Sequence, residues 1–322
     1  MKSSQTWADA HVQALRDLTP TVREFTIRPT GGAAPHAPGS HLQLEVLVNG
    51  RPQVRSYSLV GLPDGECYRI AVKRLDDGKG GSLAMWQLAQ GDRLRISEPQ
   101  NHFPLDWDAS ACLFVAGGIG VTPLVGMAQA LAARGARPRM LYGVRSVDEL
   151  AYAPELRQAL GDALVTLAGQ PVDFAAEIAA LPAGAQLYVC GPAPMLDAAR
   201  RAWAAAGRRL ADLRYETFGS SGRHAPQAFR VQIPRHRLDI TVPADCSLLD
   251  ALEGAGVQTL HDCKRGECGL CAMDVVAVDG TIDHRDVYLS EHEKQANSRI
   301  CACVSRVVGS VTLDSAWRPD IR

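Results

Sequence analysis

Six of the nine cysteines lie in the C-terminal part of the chain, five of them close in two segments. Three fall in the run Cys263-Lys264-Arg265-Gly266-Glu267-Cys268-Gly269-Leu270-Cys271, and Cys301 and Cys303 follow downstream. Cys-x4-Cys-x2-Cys with a distant further cysteine is the spacing that carries a 2Fe–2S cluster. Two irons need four thiolates, and the connecting loop must wrap the inorganic sulfides while turning backbone N–H groups toward them. Gly266 and Gly269 permit the backbone angles that such wrapping needs. A structural zinc site is the competing reading, but zinc favours paired Cys-x2-Cys knuckles over a four-residue gap followed by a two-residue gap. An odd cysteine count suits a disulfide framework poorly. Clustered thiols with no secretory signal in view imply a reducing compartment, so a cytoplasmic protein is expected.

The cysteine segment resembles plant-type ferredoxins, in which the last ligand precedes the final strand by a fixed short interval. Counting back from Val311-Thr312-Leu313 favours Cys303, whereas counting forward from Cys271 favours Cys301. The expected ligand set is Cys263, Cys268, Cys271 and Cys303, with Cys301 as the alternative to the last.

A second chemical signal is Gly117-Gly118-Ile119-Gly120-Val121-Thr122-Pro123, where an apolar strand turns into a helix. Glycines let the backbone approach a pyrophosphate, and free N–H groups at a helix start attract its charge. Tyr142-Gly143-Val144-Arg145-Ser146 ends the next strand, where the ribose region of a dinucleotide would lie. Cys190-Gly191-Pro192-Ala193-Pro194-Met195 ends a later one. Each could be ordinary turn chemistry, but all three sit at the C-terminal ends of expected strands, where open α/β sheets bind ligands.

A third signal lies earlier, in Arg55-Ser56-Tyr57-Ser58. An arginine for phosphate, a tyrosine to lie against a ring and a serine within hydrogen-bond reach suit a flavin mononucleotide. Gly78-Lys79-Gly80-Gly81-Ser82 then leads into a helix and offers a phosphate cradle. A plain surface turn is the bland alternative.

These segments need elements to hold them. Over the first hundred residues Leu42, Leu44, Val46 and Val48 alternate with other side chains, Asn49-Gly50 supplies a hairpin turn, and Val54 to Leu59 returns. Tyr68, Ile70 and Val72 alternate again, and Leu94 and Ile96 mark another strand. One helix is expected from Ser82 to Ala89 with Ser82 as its N-cap, so this part reads as a small closed antiparallel barrel. From Ala109 the rhythm changes. Apolar runs at Cys112–Ala116, Met140–Val144, Leu164–Ala168 and Leu187–Cys190 alternate with helical patterns, as in a parallel doubly wound sheet. Gly219 to Gln227 has linker composition. Beyond it, Phe229-Val231-Ile233 and Leu238-Ile240-Val242 read as paired strands, followed by a Ser247-capped helix. The expected domains are 1–106, 107–220 and 229–322, with a linker at 221–228.

Composition closes other routes. With 34 Lys+Arg against 35 Asp+Glu and a net charge of −1, the chain has no positive excess for a nucleic-acid partner. The long uncharged run from Ala109 to Ala133 contains Gly117, Gly118, Gly120, Pro123 and Gly126, which suit a strand, turn and helix better than a membrane span.

Taken in order, these motifs resemble the phthalate dioxygenase reductase family, including the reductase components of vanillate demethylase and phenoxybenzoate dioxygenase. The resemblance covers essentially the whole chain. It rests on Arg55-x-Tyr57-Ser58-Leu59, Gly117-Gly118-Ile119-Gly120-x-Thr122-Pro123, Cys190-Gly191-Pro192 and the C-terminal cysteines, with Cys303-Val304-Ser305-Arg306 resembling the end of the cluster motif. It implies a multidomain fold: an antiparallel β-barrel flavin domain, an α/β doubly wound nucleotide-binding domain, and a C-terminal β-grasp ferredoxin domain of plant type. It also implies FMN, lined by Ala71-Val72-Lys73-Arg74 and Gly80-Gly81-Ser82 as well as by the Arg55 strand. Phe218, in Tyr215-Glu216-Thr217-Phe218, would be an aromatic gate that the nicotinamide displaces; a core phenylalanine is the plain alternative.

The expected activity is electron transfer from NADH through FMN to the cluster and on to a Rieske-type non-haem iron oxygenase acting on an aromatic acid or related substrate. A hydride carries two electrons and the cluster accepts one, which is why a flavin stands between them. Ser58 and Cys190 are expected beside the reacting atoms as orienting groups. No cation follows Leu164–Ala168, where a 2′-phosphate would need one, so NADH is favoured over NADPH. Lys264 and Arg265 could help dock the oxygenase, though a solvated surface pair is the simpler reading, and a monomer is expected. The rivals are a reductase for a diiron monooxygenase or a cytochrome, and a zinc-binding or redox-sensing protein.

Overall fold

In the computed structural model the described residues are 6–76, 78, 80–218 and 224–314. They form three sheets in two compact units, one ending at Glu216 and the other beginning at Thr217.

The first sheet contains β1 (Trp7–Thr19), β2 (Val22–Pro29), β3 (Ser40–Val48), β4 (Arg51–Ser58) and β5 (Tyr68–Lys73), then helix α1 (Gly81–Trp86), β6 (Arg93–Ser97) and β7 (Gln100–Asn101). Its order is β4-β3-β6-β1-β2-β5, with β7 paired to β3, and a bridge between Leu59 and Ile70 draws the two ends together into a curled barrel. Asn49 and Gly50 both take positive φ, 51° and 74°, the conformation that a two-residue hairpin turn demands. The alternation read in β3, β5 and β6 fills the interior: Leu42, Leu44, Ile70 and Ile96 join Phe25, Ile27 and Met85 there. The helix departs from expectation. It starts at Gly81, its N-cap position is Gly80 in a left-handed conformation, and Ser82 hydrogen-bonds the backbone of Leu75 instead of capping.

The second sheet, in the same unit, contains β8 (Cys112–Gly117), α2 (Val121–Ala133), β9 (Arg139–Val144), α3 (Ala153–Leu160), β10 (Leu164–Ala168), α4 (Phe174–Ala179), β11 (Gln186–Cys190), α5 (Ala193–Ala205) and β12 (Leu213–Glu216). Its order, β10-β9-β8-β11-β12, is parallel throughout and reverses between β8 and β11, the switch point at which such sheets bind ligands. Polar contacts fix it to the barrel. Tyr152 donates its hydroxyl to Glu24 of β2 at 2.8 Å, and Arg16 of β1 bridges Glu24 and Glu155.

The second unit carries β13 (Phe229–Ile233), β14 (Leu238–Val242), α6 (Leu248–Gly254), β15 (Ala272–Asp283), α7 (Glu291–Ala296), β16 (Arg299–Cys301) and β17 (Arg306–Asp314). The order is β14-β13-β17-β15-β16, with β13 and β17 parallel and the other pairs antiparallel. Ser247 caps α6 by accepting from the Asp250 N–H, and Leu248, Leu249 and Leu252 pack into this sheet's core. The expected linker at 221–228 begins outside the described residues. Among the described residues no helix is long and apolar enough to cross a membrane.

Candidate functional site

Strand β4 presents Arg55, Ser56, Tyr57 and Ser58 in succession toward its C-terminal end. A Cβ on Gly81 would lie 2.5 Å from Arg55 Nε, so the arginine stem lies close across the Gly80–Gly81 turn and would have to shift for a side chain there. A guanidinium over a glycine turn is a donor set suited to a flavin phosphate. Lys79 of that loop lies outside the described residues. Burial pushes the Tyr57 hydroxyl upward, so this ring is neutral at ordinary pH. On β5, Ala71 and Val72 are buried, while Lys73 pairs with Glu149 of the turn after β9 at 3.5 Å.

The nucleotide turn is equally specific. Gly118 has φ 54° and open space where a Cβ would point, which leaves its backbone edge accessible. On the turn's inner side, a Cβ at Gly120 would meet the Cys190 carbonyl oxygen at 2.1 Å. A Cβ at Gly117 would meet Pro192 at 2.6 Å and the Met195 sulfur at 3.0 Å, and one at Gly191 would meet that sulfur at 2.9 Å. The structure therefore brings Gly117, Gly120, Cys190, Gly191, Pro192 and Met195 together at the C-terminal ends of β8 and β11. Thr122 donates to Ile119 O within the turn, Pro123 is buried in α2, and Arg145 stands exposed at the end of β9.

One residue that sequence reading missed joins the two sheets. Glu216 ends β12 opposite Cys190 of β11, and Ser58 donates its hydroxyl to the Glu216 carboxylate at 3.4 Å. All three are buried. Phe218, two residues later, is half-buried and belongs to the second unit.

In the second unit Cys263, Cys271, Cys301 and Cys303 are buried and Cys268 is partly exposed. Backbone N–H groups of Arg265, Glu267 and Cys268 point at Cys263 Sγ at 3.4, 3.5 and 3.4 Å. Gly266 donates its N–H to Cys303. The thiols make two groups: Cys263 with Cys268, and Cys271 with both Cys301 and Cys303. Hydrogen bonds from those last two thiols hold Cys271 well below the usual thiol range, while Cys301 and Cys303 are pushed up. Gly266 and Gly269 have φ 78° and 72°, and a Cβ there would lie 2.6 Å from Val304 and 2.3 Å from the Tyr288 ring. Two thiol groups, a loop of inward amides and two obligatory glycines fit a binuclear cluster.

Arg265 corrects the expectation of a solvated docking pair. Its side chain is 7% exposed and pairs with Glu267 at 3.3 Å. Burial pushes the Glu267 carboxyl up against the pull of Arg265, and the carboxylate accepts the Thr217 N–H at 2.8 Å. Lys264, at φ 52°, reaches Asp250 at 3.8 Å.

Comparison with known proteins agrees with this architecture. The 2Fe-2S iron-sulfur cluster binding domain matches residues 232–308, and the oxidoreductase NAD-binding domain matches 114–166. The heme-dependent oxidative N-demethylase beta subunit of Ectopseudomonas mendocina is 39% identical over 96% of this chain and 98% of its own length. The phenoxybenzoate dioxygenase subunit beta of Ectopseudomonas oleovorans is 37% identical over 88% and 89%. Among solved structures, phthalate dioxygenase reductase, described as a modular structure for electron transfer from pyridine nucleotides to [2Fe–2S], superposes with a TM-score of 0.79 at 30% identity over 96% and 98%.

Proposed function

The chain belongs to the phthalate dioxygenase reductase family, the reductase components of oxygenase systems, and from that premise we propose how its residues divide the work and which oxygenase it serves. It is an oxidoreductase that carries electrons from NADH through FMN and a 2Fe–2S cluster to an oxygenase. When bound, the flavin would supply acceptance of the two electrons of one hydride and their release one at a time.

The observation that carries the residue assignment is the meeting of Ser58, Cys190 and Glu216 at the C-terminal ends of β4, β11 and β12. Hydride transfer needs donor and acceptor atoms held about 3–3.5 Å apart, so the protein's part is mainly positioning. Ser58, its hydroxyl oriented by Glu216, serves as a hydrogen-bonding group at the flavin edge. Cys190, buried opposite Glu216, shapes the nicotinamide site. Arg55, Ser56 and Tyr57, with Ala71, Val72, Lys73, Gly80, Gly81 and Ser82, hold the FMN. Gly117, Gly118, Gly120, Thr122, Pro123, Arg145, Gly191, Pro192 and Met195 form the dinucleotide site. Phe218 acts as the aromatic gate. Cys263, Cys268, Cys271 and Cys303 hold the cluster, a choice over Cys301 supported by the Gly266 N–H that faces Cys303 and by the close packing of Gly266 on Val304 beside it.

The domain assignment that goes with this is 1–106 for FMN, 107–220 for NADH and 229–322 for the cluster, joined through 221–228. The protein works in the cytoplasm as a monomer, where NADH is supplied and free thiols stay reduced. Its oxygenase is of the Rieske type, acting on an aromatic acid or by O-demethylation. The test mixes the NADH-reduced protein, without oxygen, with a Rieske oxygenase and separately with a haem oxygenase. Rapid reduction of the Rieske centre supports the reading, and rapid reduction of haem iron alone overturns it.

A further inference from the structure

With Cys303 as the fourth ligand, Cys301 is a thiol of the cluster region with no assigned role. A buried cysteine ordinarily packs as a small hydrophobe, and Cys301, wholly buried in the core of the second unit, does so. Its surroundings go further than packing requires. Cys271, Cys301 and Cys303 are buried together in one core. Ala302, between them, donates its N–H to the Cys271 carbonyl at 3.1 Å, and Ala272 pairs with Cys301 across β15 and β16. The backbone thus fastens this stretch against Cys271 with a thiol on each side of the fastening. What distinguishes Cys303 is its link to the cluster loop: Val304, the next residue, packs so closely on Gly266 that a Cβ there would lie 2.6 Å from it.

We propose that Cys301 is a reserve ligand: when Cys303 is lost or chemically blocked, the Cys301 thiolate takes the vacated position on the iron that Cys271 holds. The step is a ligand exchange. The bond from iron to the water or hydroxide filling the vacated position breaks, an iron–sulfur bond forms to Cys301, the thiol proton leaves with that solvent ligand, and no electron moves. Residues 302–304 form a turn rather than a strand, so the exchange requires only local movement. The proposal rests on the assignment of Cys303 as the native ligand.

The experiment compares iron and sulfide content, visible absorption and the electron paramagnetic resonance of the dithionite-reduced full chain in Cys301→Ala, Cys303→Ala and the double variant. The expected result is an unchanged spectrum for Cys301→Ala, a retained cluster with shifted resonance for Cys303→Ala, and loss of the cluster in the double variant. Loss of the cluster already in Cys303→Ala overturns the reserve role and leaves the native assignment standing. An unshifted spectrum in Cys303→Ala together with loss in Cys301→Ala overturns both, making Cys301 the native ligand. Should Cys303→Ala not accumulate folded, the same comparison is made by reconstituting refolded Cys303→Ser with and without Cys301→Ala. A cluster in the first only supports the proposal, and the same result in both overturns it.

Discussion

Ser58 and Glu216, 158 positions apart in sequence, meet as a buried hydrogen bond of 3.4 Å between the barrel strand and the last strand of the nucleotide sheet. The pair fixes where the hydroxyl points, so its loss should act on the hydride step more than on NADH binding. Ser58→Ala is expected to slow NADH-dependent flavin reduction by about tenfold, equivalent to about 1.4 kcal/mol of positioning. Glu216→Gln, which keeps an acceptor, should lose less. Stopped-flow flavin bleaching across an NADH series measures both; a rise in KM at unchanged maximal rate would contradict the assignment.

The Gly80–Gly81 turn lies beneath Arg55, and a methyl group at position 81 would displace that side chain. Gly81→Ala should therefore weaken FMN retention as Arg55→Ala does, by about tenfold or about 1.4 kcal/mol. Flavin fluorescence released during equilibrium dialysis reads the change. Equal retention in wild type and both variants would remove the phosphate role from this turn.

Removing one member of the buried Arg265–Glu267 pair leaves the other charge uncompensated, a loss of about 3–5 kcal/mol. Glu267→Ala also deprives the Thr217 N–H of its acceptor. The second unit of this variant should unfold at markedly lower denaturant, while the double variant Arg265→Met/Glu267→Leu recovers most of the loss. Denaturant titration of the holoprotein, followed by cluster absorbance and circular dichroism, decides it. Wild-type stability in Glu267→Ala would mean the pair is solvated after all.

Acid sensitivity has a visible source in the same unit. Hydrogen bonds from Arg230 and Gln232 hold the Asp239 carboxyl at about 2, below its ordinary 3.8. A carboxyl depressed on folding stabilises the fold fully above the ordinary value, and that contribution fades as pH falls through 3.8 toward about 2. Asp239→Asn should lower stability by a constant amount above about pH 4, and the gap to wild type should close as pH falls toward about 2. Unfolding midpoints from pH 2 to 7 provide the check, and parallel profiles for the two proteins would count against it.

The sequence made the cluster loop and most strands of the second and third sheets legible, because cysteine spacing and short apolar runs are local signals. The long hairpin of β1 and β2 was not read. Its strands lie on a curled sheet with mixed exposure, so Trp7–Thr19 shows no clean alternation. The start of α1 was misjudged because Gly80, in a left-handed conformation, supplies the N-cap position that Ser82 was expected to fill. Glu216 escaped notice since only the β11–β12 register sets it opposite Cys190. Arg265 reads as a surface cation until Glu267 and Thr217 are seen to enclose it. In each case the missing information is non-local, carried by pairing across the fold rather than by neighbours along the chain.

The central claim is an electron path from NADH through flavin to a 2Fe–2S cluster within one chain. An anaerobic rapid-scan spectrum of the purified protein mixed with NADH, and separately with NADPH, tests it most directly. The account predicts flavin and iron–sulfur bands that bleach quickly with NADH and much more slowly with NADPH. A colourless protein, or flavin that bleaches with no change in cluster absorbance, would contradict it.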